Sequence, residues 1–262
     1  MSEVRPNTGT VYLVGAGPGA PDLLTLRAAR LLAAADIVFH DALVHPETVA
    51  IAERAVKVAV GKRCGRHSTA QQFINKRLVD AARRHAIVVR LKGGDPMLFG
   101  RAQEEIAALE TAGIACEVVP GITAALAAAA ELKTSLTQRG IARSVTFATP
   151  RVGITEAASD WAAGLVAADA GAIYMGVGEA QAIAATLLAA GKPAALPVAL
   201  VENASLPSMR IRYTTLAGLP QLAHEAVTGP ALILLGPQFH ARAKADTATR
   251  ERCRDEMREA IG

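Results

Sequence analysis

An apolar run that ends in two adjacent glycines limits the folds that this chain can adopt. Ile87–Leu91 has the character of a buried strand, and Gly93, Gly94, Asp95 and Pro96 follow it. Paired glycines allow backbone dihedrals that are closed to other residues, and they let a ligand approach the main chain closely. In a chain that alternates strands and helices, such a turn is typical of the mouth of a binding cleft. Taken alone, it would also fit an ordinary strand-to-helix turn.

A second glycine-rich turn follows the first predicted strand, Val11–Gly15. Gly15–Ala20 fits the loose dinucleotide-binding fingerprint. Asp36 or Asp41 stands about 20 residues further on, where such sites hold the ribose. A nicotinamide-dependent oxidoreductase is therefore one alternative.

Two prolines beside this turn favour a different ligand. Pro18 and Pro21 interrupt the place where the helix of a dinucleotide site begins. Asp22 is the predicted N-cap of a helix over Leu23–Ala35. The N-terminus of that helix is thus displaced from the glycines, which counts against nucleotide diphosphate binding.

Strands and helices alternate along the chain, which predicts an α/β fold with two domains. In an N-terminal domain over 9–132, five strands alternate with helices and indicate a parallel sheet covered on both faces. Pro120–Gly121 opens the Ala-rich helix that ends this domain. In a C-terminal domain over 133–240, adjacent strands around Pro207–Ser208 predict a hairpin and a mixed sheet. Residues 241–262 form a charged tail.

Composition narrows the range of partners. The 262 residues are 51% hydrophobic and only 3% aromatic, with a net charge of +4. Few aromatic residues argue against nucleic-acid recognition by base stacking. The basic residues of Arg242–Arg258 alternate with acidic ones, so they do not form a nucleic-acid-binding run. A mild positive charge suits an acidic small molecule.

The cysteines and the termini point to a reduced, cytoplasmic protein. Cys64, Cys116 and Cys253 are too widely spaced for a disulfide framework or a metal knuckle, and no histidine pair has zinc-binding spacing. Met1–Thr8 lacks the apolar segment of a signal peptide, and no apolar run approaches membrane-spanning length. We therefore expect no metal and no membrane partner.

The two glycine turns belong to a longer series of blocks that resembles the S-adenosylmethionine-dependent tetrapyrrole methyltransferases. The resemblance extends from Val11 to about Gly236, and it is specific because many blocks occur in the family's order. The blocks are 14–19 (VGAGPG), 41–44 (DALV), 60–63 (VGKR), 91–101 (LKGGDPMLFGR), 119–124 (VPGITA), 173–176 (IYMG), 201–204 (VENA) and 230–232 (PAL).

This resemblance implies S-adenosylmethionine as cofactor, held in a cleft between the two α/β domains. The cofactor is a zwitterion with a sulfonium, which backbone amides and carbonyls at small-residue turns can bind. Taken alone, Thr123, Ala124 and Met175 would be assigned to core packing. By resemblance, the cofactor pocket is lined by Pro18, Gly93, Gly94, Asp95, Leu98, Thr123, Ala124, Met175, Ala204 and Ala231.

The reaction that the resemblance implies is the double methylation of uroporphyrinogen III to precorrin-2, on the way to sirohaem, cobalamin or haem d1. An electron-rich pyrrole carbon attacks the sulfonium methyl group in line, and a base then removes a proton. Arg101 and Glu104 are three residues apart on one helix face, a spacing that by itself indicates only a surface ion pair. The resemblance implies that Arg101 orients the tetrapyrrole and that Glu104 is the base.

Further polar residues match family residues that act on the substrate. Asp41 and Lys62 each follow a predicted strand, and the matching family residues are proposed proton-transfer groups. Uroporphyrinogen carries eight carboxylates, which arginine side chains can bind in a two-point manner. We expect Arg139 to be the main carboxylate-binding residue, and Arg63 and Arg66 are further candidates.

Several positions depart from the family's pattern, and they concern the substrate rather than the cofactor. They are Ala42, His45, Gln138 and Thr149–Arg151. Methylation of a later precorrin is therefore an alternative, and ribosomal RNA methylation and a cofactor-binding regulatory module are weaker ones. The resemblance also implies a homodimer.

Overall fold

The computed structural model of the chain describes residues 8–60, 67–153, 159–225, 227–246 and 249. The chain divides into two compact units, residues 1–124 and 125–262. No helix within those described ranges is long and apolar enough to cross a membrane.

The first unit is built on a five-stranded sheet in which all neighbouring strands are parallel, as the sequence predicts. Its elements are β1 (Thr10–Gly15), α1 (Leu26–Ala34), β2 (Ile37–His40), α2 (Pro46–Ala50), β3 (Val56–Ala59), α3 (His67–Ala82), β4 (Ile87–Lys92), α4 (Ala102–Thr111) and β5 (Cys116–Val119). The strand order is β3-β2-β4-β1-β5.

The centre of this sheet is a topological switch point. The chain leaves β1 toward β2 on one side, and it leaves the neighbouring β4 toward β5 on the other. Helix α1 packs through Leu32 against Leu91 on one face, whereas α3 and α4 pack through Leu78 and Leu109 against Val88 on the opposite face. In open α/β sheets, ligands bind in the crevice at the carboxyl ends of two such strands. The glycine turns follow these same two strands.

The helix after the first glycine turn begins later than predicted, so the assignment of Asp22 as its N-cap was wrong. Pro21–Leu23 forms a separate 3-10 turn, and α1 begins at Leu26. The cap is Thr25, whose hydroxyl oxygen accepts the N–H of Ala28 at 3.1 Å while its backbone is extended. The helix N-terminus is therefore still further from the glycines than the sequence indicated.

The Ala-rich helix also begins later than predicted. Helix α5 (Ala124–Glu131) begins at Ala124 rather than at Pro120–Gly121. Its buried side packs through Ala128 against Ala172 and Val201, which belong to the second unit. The helix therefore contributes to the second hydrophobic core, although the sequence analysis placed it in the first domain.

The second unit contains a mixed five-stranded sheet, as predicted. Its remaining elements are β6 (Val145–Ala148), α6 (Trp161–Ala167), β7 (Ala170–Tyr174), α7 (Ala180–Ala189), β8 (Pro197–Glu202), β9 (Arg210–Thr215), α8 (Leu219–His224) and β10 (Ala231–Leu235). The strand order is β6-β7-β10-β8-β9. Only the β6–β7 pair is parallel, and β8 and β9 form the predicted antiparallel hairpin.

Candidate functional site

Three glycine-containing turns meet at the carboxyl edge of the first sheet. Gly17 and Gly94 exchange two backbone hydrogen bonds, with N···O distances of 3.2 and 2.7 Å. A Cβ atom on Gly15 would lie 2.6 Å from the Cα atom of Gly121 and 2.7 Å from the carbonyl oxygen of Gly94. Side chains are excluded by this close approach, so the turns after β1, β4 and β5 form one backbone cluster.

Asp95 holds two parts of this cluster together. Its Oδ1 accepts the N–H of Met97 at 2.8 Å, and its Oδ2 accepts the N–H of Gly121 at 2.9 Å. Hydrogen bonds to a carboxylate are stronger than those between neutral groups. Both carboxylate oxygens thus stabilise the conformation of the turn.

The outer surface of the turn is open. Gly93 is exposed, and a Cβ atom on Gly94, which has a φ of +68°, would have Thr123 Cα at 3.9 Å as its nearest neighbour. A small zwitterionic ligand could therefore contact the main chain directly. The residues present fit a cofactor that is held by backbone amides and carbonyls.

The predicted cofactor residues occupy strand ends in both units. In the first unit they follow β1, β4 or β5. In the second, Met175 follows β7, Ala204 follows β8, and Ala231 begins β10. Because β10 is antiparallel to both of those strands, the three residues lie at one edge of the second sheet. The first-unit set is Pro18, Gly93, Gly94, Asp95, Leu98, Thr123 and Ala124.

Several residues at these strand ends have a left-handed backbone that is uncommon for residues other than glycine. In the second unit they are Met175 (φ 55°), Asn203 (φ 52°) and Ser205 (φ 68°). In the first unit, Phe99 (φ 53°) and Arg101 (φ 55°) follow the glycine turn of β4. Such backbone strain concentrates at functional sites. Apart from asparagine at Asn203, these residue types do not indicate a left-handed backbone in the sequence.

Glu202 anchors the loop that leads to Ala231. Its Oε1 accepts the N–H groups of Thr228 and Gly229, each at 2.7 Å, and its Oε2 lies 2.7 Å from Arg210 NH2. The Glu202 side chain is 1% exposed. Burial acts to raise the pKa of Glu202, but the hydrogen bonds from Gly229, Thr228 and Arg210 outweigh it and hold the pKa below its ordinary value.

Arg101 and Glu104, the predicted tetrapyrrole-facing pair, form a two-point ion pair at the start of α4. Arg101 Nε lies 2.6 Å from Glu104 Oε1, and Arg101 NH2 lies 2.8 Å from Glu104 Oε2. Their side chains are 42% and 48% exposed. Arg139, the predicted carboxylate ligand, is exposed in a turn between the paired residues Gln138 and Ala142.

Asp41 ends a chain of charges that the sequence analysis did not identify. Its Oδ1 lies 2.6 Å from NH2 of Arg90, whose Nε lies 2.9 Å from Oε1 of Glu105. The second oxygen of Glu105 lies 2.9 Å from Nζ of Lys92. Burial lowers the pKa of Lys92, and the neighbouring Arg90 lowers it further. One sequence signal for this network was available. Arg90 and Lys92 are two cations at alternate positions of an otherwise apolar strand, and this spacing puts both on one buried face.

Three predicted residues, Lys62, Arg63 and Arg66, lie outside the described residues. Within the described ranges, no group of three or more His, Cys, Asp or Glu side chains is arranged to hold a metal ion.

Among solved structures, the chain is similar to a uroporphyrin-III C-methyltransferase from Thermus thermophilus. The native form has a TM-score of 0.78 and 38% identity, and the match covers 89% of this chain and 94% of that one. A complex of this enzyme with S-adenosylhomocysteine has a TM-score of 0.77, 38% identity and coverages of 89% and 100%. A cobalt precorrin-4 methyltransferase has a TM-score of 0.76 at 27% identity, with coverages of 87% and 94%.

Curated relatives are longer than this chain. A siroheme synthase from Chromobacterium violaceum is 47% identical over 230 residues, which are 87% of this chain and 49% of that protein. A siroheme synthase from Nitrosococcus oceani is 43% identical over 233 residues, which are 88% of this chain and 50% of that protein. The chain thus spans about half the length of the curated relatives that it matches. The sequence profile of the tetrapyrrole (corrin/porphyrin) methylases matches residues 10–220, and the chain belongs to this family.

Proposed function

We propose that the chain is an S-adenosylmethionine-dependent C-methyltransferase that converts uroporphyrinogen III to precorrin-2 by two successive methylations. The observation that carries the proposal is the backbone cluster of Gly15, Gly17, Gly94 and Gly121 at the switch point of the first sheet. It offers main-chain groups to a ligand in a chain of the methylase family. Support for the substrate comes from the similarity to the Thermus thermophilus enzyme.

In this reaction, S-adenosylmethionine supplies an electrophilic methyl group bound to a sulfonium. A bond forms between the pyrrole carbon and the methyl carbon, the carbon–sulfur bond breaks with its electron pair going to sulfur, and a proton leaves the tetrapyrrole. Arg101 orients the substrate through its carboxylates, which a guanidinium binds at two points. Glu104 takes up the proton, with Asp41 as a second proton-transfer group. Arg139 binds a further carboxylate.

The turn residues after β1, β4 and β5 bind the cofactor. Gly93 and Gly94 present main-chain groups, and Asp95 keeps the turn in shape through its two hydrogen bonds. Because α1 begins only at Leu26, its N-terminus is too far along the chain to receive a pyrophosphate beside the glycines. We therefore expect the chain to bind S-adenosylhomocysteine and not NAD.

The activity test is incubation of the protein with uroporphyrinogen III and methyl-labelled S-adenosylmethionine. We expect two labelled methyl groups per tetrapyrrole in the product. Label that enters only a later precorrin would instead favour the alternative substrate to which the departures at Ala42 and Gln138 point. In parallel calorimetric titrations, NAD binding without S-adenosylhomocysteine binding would contradict the proposal.

We also propose that the chain is a homodimer, as the family resemblance implies. Light scattering at micromolar concentration is expected to give twice the chain mass of 27.1 kDa. A monomer at that concentration would contradict this part of the proposal.

A further inference from the structure

The charged chain from Lys92 to Asp41 points to a role for two residues that the reaction described above does not use. We propose that Arg90 and Glu105 are positioning residues that hold the Asp41 carboxylate in place for proton transfer. This inference rests on the proposed function, in which Asp41 is a proton-transfer group. Neither Arg90 nor Glu105 needs to touch the substrate.

The pairing of β2 with β4 determines the placement of Asp41. Asp41 directly follows β2, which is a neighbour of β4, and His40 is in register with Leu91. The backbone N–H of Asp41 donates to the carbonyl of Leu91 at 3.3 Å. Asp41 therefore lies at the same carboxyl edge as the glycine turn after β4.

The guanidinium of Arg90 bridges two carboxylates. Nε binds Glu105 at 2.9 Å, NH2 binds Asp41 at 2.6 Å, and NH1 donates to the Leu91 carbonyl at 3.2 Å. All three nitrogens are engaged, so the plane of the group is fixed. A lysine carries its charge on a single nitrogen and cannot reproduce a planar three-nitrogen contact.

Glu105 is itself held in place by further hydrogen bonds. Its Oε1 also accepts a hydrogen bond from Gln71 Nε2 at 3.2 Å, and its Oε2 binds Lys92 Nζ at 2.9 Å. Its side chain is 0% exposed. A carboxylate with both oxygens bound in the interior holds Arg90 in one orientation, and a supporting layer of this kind is what precise reactive groups require.

The four charged side chains differ in their exposure to solvent. Glu105, Arg90 and Lys92 are 0%, 3% and 3% exposed, whereas Asp41 is 30% exposed. Buried ion pairs are weak contributors to stability, because apolar residues of similar volume serve equally well. Stability alone thus gives no reason for four charged groups in this place. Among these four charged side chains, Asp41 is the one with substantial exposure, so the network presents this carboxylate at the surface.

The test is a double-mutant cycle between Arg90→Lys and Asp41→Asn, measured by single-turnover methyl transfer to uroporphyrinogen III. We expect Arg90→Lys alone to lower the rate about 10- to 100-fold, since misplacing a reacting group by about 1 Å has effects of that order. In the Asp41→Asn background, we expect Arg90→Lys to change the rate by less than about threefold, because the group that it positions is already absent. The affinities for S-adenosylhomocysteine and tetrapyrrole should stay within about threefold of the parent.

A matched control is Arg212→Lys in the second unit. Arg212 is also largely buried, with 13% exposure, and its NH1 lies 2.9 Å from Glu225. This variant should lower the melting temperature and leave the methyl-transfer rate unchanged. If Arg90→Lys lowers the rate by the same factor with and without Asp41, its role is structural and the inference is overturned.

Crystal structures of Arg90→Lys and of Glu105→Gln give a readout that does not depend on activity. We expect the Asp41 carboxylate to leave its parental position in both variants. If the parent fails to methylate uroporphyrinogen III, the proposed function fails, but displacement of Asp41 would still support the positioning role. An Asp41 side chain that is unmoved in both variants would overturn the inference whatever the activity.

Discussion

The carboxylate of Asp95 joins the turn after β4 to the turn after β5 through its 2.9 Å hydrogen bond with the backbone N–H of Gly121. The other oxygen accepts the N–H of Met97 at 2.8 Å, so the two oxygens face two donors. An asparagine can present an acceptor to only one of them, and its NH2 group would face the other. The shape of the glycine cluster depends on this one side chain.

We predict that Asp95→Asn weakens S-adenosylhomocysteine binding about 10- to 100-fold, because binding must then restore the shape of a turn that has lost a hydrogen bond to a charged group, which is worth about 1.5–3 kcal/mol. Calorimetric titration measures this directly. Asp169→Asn is the matched control, because Asp169 Oδ2 accepts the backbone N–H groups of Arg143 and Ser144 in the second unit. It should lower the melting temperature and keep the affinity. Equal affinity for Asp95→Asn and the parent would restrict Asp95 to a structural role.

A methyl group added at Gly15 should lower the free energy of unfolding far more than one added at Gly178. At Gly15 the added Cβ would meet Gly121 Cα at 2.6 Å, and backbone cannot give way as a side chain tip can. We predict a loss of about 1–3 kcal/mol in the free energy of unfolding for Gly15→Ala. At Gly178 nothing lies within 4 Å of the added Cβ. Denaturant titration should show Gly178→Ala within about 0.5 kcal/mol of the parent.

Glu202 predicts a specific dependence of stability on pH. Its pKa in the folded protein lies below that of an unfolded glutamate, about 4.3. Its contribution is therefore fully present above that value and is lost as the pH falls through the folded pKa. We expect Glu202→Gln to be less stable than the parent at pH 7 and the difference to shrink below about pH 4. A difference in unfolding free energy that stays constant from about pH 7 to about pH 3 would contradict this.

The sequence predicted the strands and the glycine turns because these signals are local. Apolar runs between glycines and prolines mark the strands, and the parallel sheet follows from their alternation with helices. The predicted start of α1 was wrong because Asp22 and Thr25 are both residue types that cap helices. In the structure, Pro21–Leu23 forms a 3-10 turn that includes Asp22, and Thr25 is therefore the cap of α1. No local signal distinguishes such cases.

The charged network was missed for a different reason. Arg90 and Lys92 stand at alternate positions of an otherwise apolar strand, which indicates one shared face, but Glu105 stands beside Glu104 in a helix and looks like an ordinary surface charge in sequence. Their pairing needs α4 to pack on the face of β4 that carries both cations, which is a tertiary relationship. Arg101 and Glu104 do form the ion pair that a spacing of three residues allows, but the prediction that both lie on one helix face was wrong, because Arg101 precedes α4 as its N-cap and has a left-handed backbone.

The last prediction separates the roles of Glu104 and Arg101. If Glu104 removes a proton after methyl transfer, Glu104→Gln should keep the affinities for cofactor and tetrapyrrole while turnover falls about 100- to 10,000-fold. If Arg101 binds substrate carboxylates, Arg101→Lys should weaken tetrapyrrole binding as well, because lysine lacks the planar fork. Cofactor binding should be unchanged in both variants.

Single-turnover methyl transfer and separate titrations of cofactor and tetrapyrrole distinguish these outcomes. Asp80→Asn is the matched control, because Asp80, near the end of α3, and Arg83, just after that helix, are also three residues apart. Asp80 Oδ1 lies 3.9 Å from Arg83 NH1, and the two side chains are 41% and 58% exposed. An exposed pair of this kind contributes about 0–1 kcal/mol to stability and nothing to turnover. If Glu104→Gln behaves like Asp80→Asn, the Arg101–Glu104 contact is only a surface ion pair, and Asp41, held by Arg90, becomes the proton acceptor to test. If both site variants lose cofactor binding, the pair belongs to the cofactor site and not to the tetrapyrrole site.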